Sequence, residues 1–249
     1  MLKKTGFIFL LILLFLFVAE IMLYFVCPVY DFPVPQPFSG NKLYNPYKGM
    51  DSTAWRKANF HYHAKAWGGL TSGSNNTYEA FLEIYRKKMG YDFPAISDYM
   101  KINDHFRDSS FYIPVYEHGI GVRKKHQILI DAKQVLWYDY SLFQNIHQKQ
   151  HIIDKLQGKS TIIALAHPDW ENGYTPGDLR RLSGYHLLEI LDHNWGSFFQ
   201  WDAALSSGHP VYVLADDDSH DIDDVFQIGR CATFINSRSK SKDSVVDAL

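Results

Sequence analysis

Two histidines one residue apart, His61 and His63 in the run Ala58-Asn59-Phe60-His61-Tyr62-His63, are the residues of this chain best suited to do chemistry. On an extended strand, side chains two apart point to the same face, so the pair can present two imidazoles to one ion. Further along come Glu117, His126, His167 and the pair Asp218 and His220, each at or near the end of a strand-like run. Imidazole and carboxylate together are donors for a divalent metal ion. A packed or solvated histidine pair is the competing reading of the His61 spacing alone. Glu117 argues against it: it closes the run Tyr112-Ile113-Pro114-Val115-Tyr116, where a carboxylate is costly to bury without a cation. Asp216-Asp217-Asp218 poses the same problem, since three adjacent carboxylates repel one another unless a positive charge compensates. Spacing from His220 makes Asp218 the expected ligand. Asp216 and Asp217 are then surface groups, or groups that orient a ligand imidazole. His105, His118 and His193 are candidates for the mouth of such a site, and His147 for a solvent-facing helix position.

Donors so far apart in sequence need a scaffold that brings them to one face. Residues 58–64, 93–98, 112–117, 126–132, 161–166, 186–191 and 211–215 read as strands, and residues 77–89, 142–156, 177–182 and 198–205 as helices. Ile162-Ile163-Ala164-Leu165-Ala166 and Val211-Tyr212-Val213-Leu214-Ala215 are continuous apolar runs, as expected of strands buried on both faces of a mainly parallel sheet. The first leads directly into His167 and the second into Asp216 to His220. In a parallel barrel such groups collect where the C-terminal ends of the strands meet, so the candidate ligands are expected to share a face. Phe81, Ile84 and Tyr85 have helical spacing and read as core.

The first residues are of another kind. Residues 7–26 are almost uninterruptedly apolar, broken by Glu20, and at about 1.5 Å per residue they can cross a hydrocarbon core of about 30 Å. Lys3 and Lys4 precede them, which by the positive-inside tendency leaves the N-terminus in the cytoplasm and the rest of the chain outside. Residues 1–27 are thus expected to be an uncleaved signal anchor, with a cleaved signal peptide as the alternative. Bulky Tyr24-Phe25-Val26 before Cys27 speaks against lipoprotein processing. Residues 28–50, rich in Pro, Tyr, Asn and Gly, read as an extended tether, and residues 51–249 as one globular domain. Cys27 and Cys231 are the only cysteines, so no disulfide framework is expected. A formal net charge of -2, with no basic run beyond Arg123-Lys124-Lys125, gives no footprint for nucleic acid.

Read in order, Asn59-Phe60-His61-Tyr62-His63, Ala95-Ile96-Ser97-Asp98, Val115-Tyr116-Glu117, His126-Gln127-Ile128-Leu129, Ala164-Leu165-Ala166-His167-Pro168, Leu188-Glu189-Ile190 and Asp218-Ser219-His220 resemble the successive motifs of the polymerase and histidinol phosphatase (PHP) superfamily. Each piece is weak, and their order carries the resemblance, from about Asn59 to the C-terminus. It implies an α/β fold, a distorted (β/α)7 barrel preceded here by the transmembrane helix, that hydrolyses phosphate esters with bound metal ions. Carried over position by position, His61, His63, Glu117 and Asp218 hold one ion and Glu117, His126 and His167 a second, with Glu117 bridging. Two divalent ions, Zn, Mn or Fe, suit those donors. The implied protein is a membrane-anchored, extracytoplasmic phosphoesterase acting on a small-molecule phosphoester.

The departures from the pattern are specific. The first motif usually continues to an Asp or His about five or six residues after the second histidine, where this chain has Gly68 and Gly69, and the usual Asp-His of the second motif is Asp98-Tyr99. Those groups, with the equivalent of His220, normally build a third metal site. Here that site is expected to be empty, weak, or rebuilt from His105 or Asp104. His220 is then either a remaining ligand or the acid for the leaving group, with Tyr99 the next candidate. Arg230, in a stretch resembling the family's closing strand, is the candidate to hold a phosphoryl oxygen, with Arg123 and Lys124 as alternatives. Residues 244–249 resemble the start of the family's last helix, so the chain is expected to stop inside it. Two rival functions follow from the same residues: an amidohydrolase-like C–N hydrolase, which also opens on a His-x-His strand, and a catalytically reduced, membrane-tethered metal-binding domain.

Overall fold

The structure is a computed structural model that describes residues 2–41, 45 and 47–249; residues 42–44 and 46 of the expected tether, and the side chains of Lys3 and Lys4, lie outside the described residues. Along the chain come α1 (Leu2–Phe25), β1 (Trp55–Asn59), α2 (Tyr78–Phe81) continued by a π-helical stretch Leu82–Lys88, β2 (Phe93–Pro94), β3 (Val115–His118) and β4 (Gln127–Ala132). Then follow α3 (Ile146–Leu156), β5 (Ser160–Leu165), α4 (Pro176–Leu179), β6 (Leu187–Leu191), α5 (Phe198–Leu205), β7 (Tyr212–Ala215), β8 (Thr233–Asn236) and α6 (Lys242–Asp247).

Connection lengths decide much of the topology. Only residues 119–126 join β3 to β4, too few for the dozen or more that a parallel crossover needs, and the pair is antiparallel, with Val115 opposite Ile130 and His118 opposite Gln127. β4 is antiparallel to β5 as well, whereas β5, β6 and β7 run parallel. These five strands form one sheet in the order β3-β4-β5-β6-β7, and a second sheet has the order β2-β1-β8. The sheets meet through single bridges, Tyr62 with Ser219 and Tyr99 with Glu117.

The expected distorted (β/α)7 barrel is therefore wrong: there are two sheets, and no closed barrel among the described residues. Besides the reversal of β4, a second physical reason lies in the run after β1, expected to continue as strand to residue 64. Four of its five backbone N–H groups go to side chains instead of a neighbouring strand, that of His63 going to the Ser219 carbonyl. Phe60 donates to Asp216 Oδ1, His61 to Asn59 Oδ1, Tyr62 to Ser97 Oγ and Ala64 to Asp98 Oδ1. A backbone satisfied by side chains cannot also extend a ladder. β2 shortens to two residues for the same reason: the amides of Ala95 and Ser97 still reach the carbonyls of Asn59 and Tyr62, but the amides of the run that would complete the ladder are already bonded to side chains.

Period-two alternation in β4 buries both faces. Leu129 joins Tyr116, Ile152, Leu156, Leu165 and Leu188 in a core beneath α3. Ile128 and Ile130 join Phe60, Val115, Ala164, Leu214 and Ile235 on the other side. α3 starts at Asn145, whose side chain accepts from the amides of His147 and Gln148 while Gln148 reaches back, a reciprocal cap that explains why the helix begins later than residue 142.

Residues 5–25 of α1 are long and apolar enough to be a membrane anchor or a signal sequence. The end of this helix lies on the domain. Glu20 Oε1 accepts from the amide and hydroxyl of Ser141, both at 2.8 Å, and Tyr24 Oη accepts from the amides of Leu142 and Phe143, both at 3.0 Å. Leu23, Tyr24, Cys27 and Phe32 pack against the core. Tyr30 donates to Asp154 and its amide to His147 Nδ1, so His147 faces this segment rather than solvent.

Candidate metal centre

The strand directions place the donors at one edge. Glu117 is on β3 near its C-terminal end, and His167 and Asp218 follow β5 and β7. His126 comes before β4, at the N-terminal end of a strand; because β4 is reversed, that end lies on the same edge, and the carbonyl of His126 accepts from the amide of Ala166. This corrects the expectation that every ligand arrives from a strand's C-terminal end. The run after β1 is tied to the segment after β7, with the amide of Asp218 on the carbonyl of His61 and that of His63 on the carbonyl of Ser219.

Two groups of buried donors result: His61, His63, Glu117 and Asp218 in one, and Glu117, His126 and His167 in the other, the donor atoms of each lying within 4.8 Å of one another. Glu117 belongs to both. Its Oε2 faces His61 Nε2 at 3.3 Å and His63 Nε2 at 3.1 Å, while its Oε1 faces His126 Nδ1 at 2.5 Å and His167 Nε2 at 3.3 Å. Asp218 Oδ1 lies 3.1 Å from His61 Nε2 and 3.3 Å from His63 Nε2.

Most of these approaches lack hydrogen-bond alignment. His61 Nε2, His63 Nε2, Glu117 Oε2, His126 Nδ1 and both Asp218 carboxylate oxygens are buried without a hydrogen-bond partner. So many unpaired polar atoms converging in one place is costly for a fold and calls for a common partner. A divalent cation is such a partner, and mixed imidazole and carboxylate donors fit one in each group. Both groups could hold metal ions. Electrostatics point the same way. Burial raises the Glu117 carboxyl, but the imidazoles of His126 and His61 outweigh it and hold Glu117 well below the usual carboxylate range. Asp218, likewise raised by burial, is held down by His61, His220 and His63. Both carboxylates stay ionised, ready for a cation. Burial also pushes the His167 imidazole down, to about 4, which leaves it neutral as a ligand must be.

Backbone strain sits at two donors. His167 has φ 30° and Asp218 φ 46°, in the left-handed region that non-glycine residues avoid, at a cost on the order of 1–3 kcal/mol each. Specific bonds hold them there: the His167 amide donates to Glu189 Oε2 at 2.7 Å, and the Asp218 amide to the His61 carbonyl at 2.9 Å.

Glu189, a motif residue to which the sequence assigns no role, supports both groups. Its Oε1 accepts from His61 Nδ1 at 2.8 Å, which fixes the ring's orientation and turns Nε2 toward Glu117 and Asp218. Burial pushes its carboxyl up to about 8 against the pull of His61. The signal in the sequence is a single carboxylate inside the apolar strand Leu187-Leu188-Glu189-Ile190-Leu191. Gly119 is a second residue that sequence reasoning misses. A Cβ there would lie 2.3 Å from Cδ2 of His126, so only glycine leaves room for that imidazole. Asp216 and Asp217 are fully buried, not surface groups. Asp216 holds Phe60, and Asp217 accepts from the amides of Gly229, Arg230 and Cys231, from Tyr85 Oη and from Asn59 Nδ2.

The remaining candidates spread out. His220 stacks on His63 with ring centroids 4.1 Å apart, donates from Nδ1 to the Thr71 carbonyl, and turns Nε2 to Asp218 at 3.3 Å. Tyr99 stacks on the His63 ring at 4.5 Å and meets the His126 ring edge-on at 5.4 Å. Arg230 has an exposed side chain, and only its amide points inward, to Asp217. His105 stacks on Tyr78 and Asp104 pairs with Arg107, so neither is brought to His220, and Gly68 and Gly69 leave a turn where a third-site ligand would stand. His118 is buried with its ring nitrogens on the carbonyl oxygens of Gln127 and Tyr138, and His193 donates to the Asp217 carbonyl. Cys27 and Cys231 are unpaired. An open cleft of about 270 Å³ leads to the second group, lined by Tyr99, Gly119, Ile120, Gly121, Val122, Lys124 and His126. No protein-family model matches the chain, and no curated protein matches it either, so what this centre does has to be drawn from its own donors.

Proposed function

We propose that the protein is a divalent-metal-dependent phosphoesterase working with two ions. The observation that carries this reading is Glu117, one buried carboxylate with an oxygen turned to each of two histidine groups. Such a bridge suits a pair of ions about 3.5–4 Å apart, and the pair clamps attacking and leaving oxygens in displacement at phosphorus. The ordered motifs resembling the PHP superfamily support phosphate esters over C–N bonds, because Glu117 and the Asp218-Ser219-His220 run depart from the amidohydrolase pattern.

His61, His63, Glu117 and Asp218 would hold one ion, and Glu117, His126 and His167 the other. When bound, the ions would neutralise charge on the phosphoryl oxygens and bring the attacking water's pKa toward neutrality. Glu189 keeps His61 Nε2 aimed at the centre. Lys124, held over the Trp170 ring at 4.2 Å and lining the cleft, draws the phosphate anion in; exposed Arg230 does not line that cleft. Tyr99 also lines it. Its ring lies on His63 and meets His126 edge-on, which places its hydroxyl beside the centre as a proton donor to the leaving group. His220 suits that task less, since its Nδ1 proton is committed to the Thr71 carbonyl.

The test uses the full chain in detergent with added Mn or Zn, against p-nitrophenyl phosphate, bis-p-nitrophenyl phosphate and an N-acyl amide. Ester hydrolysis that disappears with His61→Ala and drops at least about tenfold in kcat with Tyr99→Phe is expected. Amide hydrolysis without ester hydrolysis, or bound metal with no turnover of either, would contradict the proposal.

A further inference from the structure

We propose that the mouth of the metal centre opens onto the membrane surface from which α1 emerges, and that the phosphoester it takes is a lipid headgroup. The second half rests on the phosphoesterase reading; the first stands on geometry alone. The apolar span of residues 5–25 has Glu20 and Tyr24 in its last two turns. A span of this length, at about 1.5 Å per residue, crosses a core of about 30 Å, which leaves Tyr24 near the headgroups and Glu20 about 6 Å deeper, at the outer end of the acyl chains. Both are bonded to the domain, Glu20 to Ser141 and Tyr24 to Leu142 and Phe143. The segment 141–143 is thereby held at the boundary between the lipid headgroups and the acyl chains.

From that segment the path to the centre is short. The Val122 amide donates to the Ser141 carbonyl at 2.9 Å, and Val122 lines the cleft together with Tyr99 and His126. Trp137 is four residues before Ser141, so no more than about 14 Å of chain separates them. Its ring meets the edge of Trp67 at 6.1 Å, and Trp67 Nε1 donates to the carbonyl of Tyr99, whose ring lies on His63. The exposed side chains along this path are apolar: Val122 is 75% exposed, Trp137 62% and Phe143 56%. In water these surfaces are a liability, whereas tryptophans and apolar tips beside a membrane span are at home in the interface. Arg123 is exposed beside Val122, and Lys124 follows it, the charges that anionic headgroups attract. A phosphoester carried by a lipid would reach the cleft without leaving the bilayer. The reaction is hydrolysis: a water oxygen forms a new bond to phosphorus, one ester P–O bond breaks, and a water proton ends on the departing alkoxide oxygen.

Two arms test it on the full chain, with Cys27→Ser and Cys231→Ser, in vesicles of phosphatidylcholine and phosphatidylglycerol at about 3:1. A polarity-sensitive fluorophore is placed at Val122→Cys, Phe143→Cys or Lys133→Cys, the last being exposed just past β4, at the sheet edge opposite the donors. Headgroup-level nitroxide lipids are expected to quench the first two at least about threefold more than the third, following the depth of interfacial side chains. Equal quenching at all three positions overturns the membrane-facing mouth. In the second arm, with Mn, phosphatidic acid and phosphatidylglycerol in the vesicles compete with p-nitrophenyl phosphate and bis-p-nitrophenyl phosphate in solution. Lipid hydrolysis is expected, and Phe143→Asp is expected to lower the lipid rate at least about tenfold relative to the soluble-ester rate, by lifting the cleft off the surface. Soluble esters cleaved with lipids untouched would overturn the lipid assignment and leave the phosphoesterase reading standing. No cleavage of either would overturn that reading and the lipid substrate with it, while the quenching pattern still decides the orientation.

Discussion

Replacing Gly119 by alanine should remove one metal ion and leave the other. Gly119 has φ 142°, and its missing Cβ is what the His126 ring occupies, with Cδ2 at 2.3 Å, Cγ at 3.1 Å and Nε2 at 3.2 Å from where the methyl group would sit. Nonbonded carbons settle about 3.5–4.0 Å apart, so the overlap is more than about 1 Å and the ring must swing away. His126 is one of three donors in the second group and takes no part in the first. Its loss should weaken the second ion by at least about 100-fold, or about 2.7 kcal/mol, since even disturbing a ligand's outer support costs about 10- to 100-fold. The strained φ adds a stability loss on the order of 1–3 kcal/mol. Equilibrium dialysis against Mn or Zn, followed by metal analysis, should give about half the wild-type ion content. His126→Ala, which carries no backbone strain, should do the same. A Gly119→Ala protein that still binds its full complement of metal would refute the reasoning.

Three further outcomes follow from buried carboxylates. In metal-free protein, burial holds the Glu189 carboxyl up at about 8 against an ordinary 4.5, so between those values the unfolded chain binds fewer protons and this group's stabilisation falls as pH rises; Glu189→Gln should flatten the decline in melting temperature measured in chelator from about pH 5 to 8, and an unchanged slope would argue against it. Asp217→Asn leaves donors from Gly229, Arg230, Cys231 and Tyr85 facing a poorer acceptor, and should cost about 3 kcal/mol or more, about 6–12 °C in a thermal melt. Lys149 and Asp178 form a buried pair at 2.6 Å, and Asp178, raised by burial but held down overall by Lys149, contributes stability above its ordinary 3.8 that is lost as pH falls below it. Lys149→Met should therefore destabilise by about 3 kcal/mol in denaturant titrations at pH 7 and much less near pH 3, where the partner carboxyl begins to protonate.

The donors were legible in the sequence because their chemistry conflicts with their surroundings. His61, His63, Glu117, His167 and Asp218 stand at the ends of apolar runs, and the structure gathers them into two buried groups. The barrel that the motif resemblance and the strand rhythm imply does not form among the described residues. Residues 119–126 are too short for a parallel crossover, a limit that can be counted directly along the chain. The early end of the β1 ladder was harder to see, since it depends on Asp216, Ser97 and Asp98 arriving from distant segments to take the backbone amides. The place of Gly119 beneath His126 is of that kind too, as is the grip of Ser141 on Glu20. Glu189 lies between: visible as an isolated carboxylate in an apolar strand, but given a task only by the contact with His61.

Anomalous X-ray diffraction from crystals grown with Mn or Zn tests most directly whether Glu117 joins two bound ions. Two peaks about 3.5–4 Å apart are predicted, one among His61, His63 and Asp218 and the other between His126 and His167, with Glu117 between them. A single peak away from Glu117, or none at saturating metal, would contradict it.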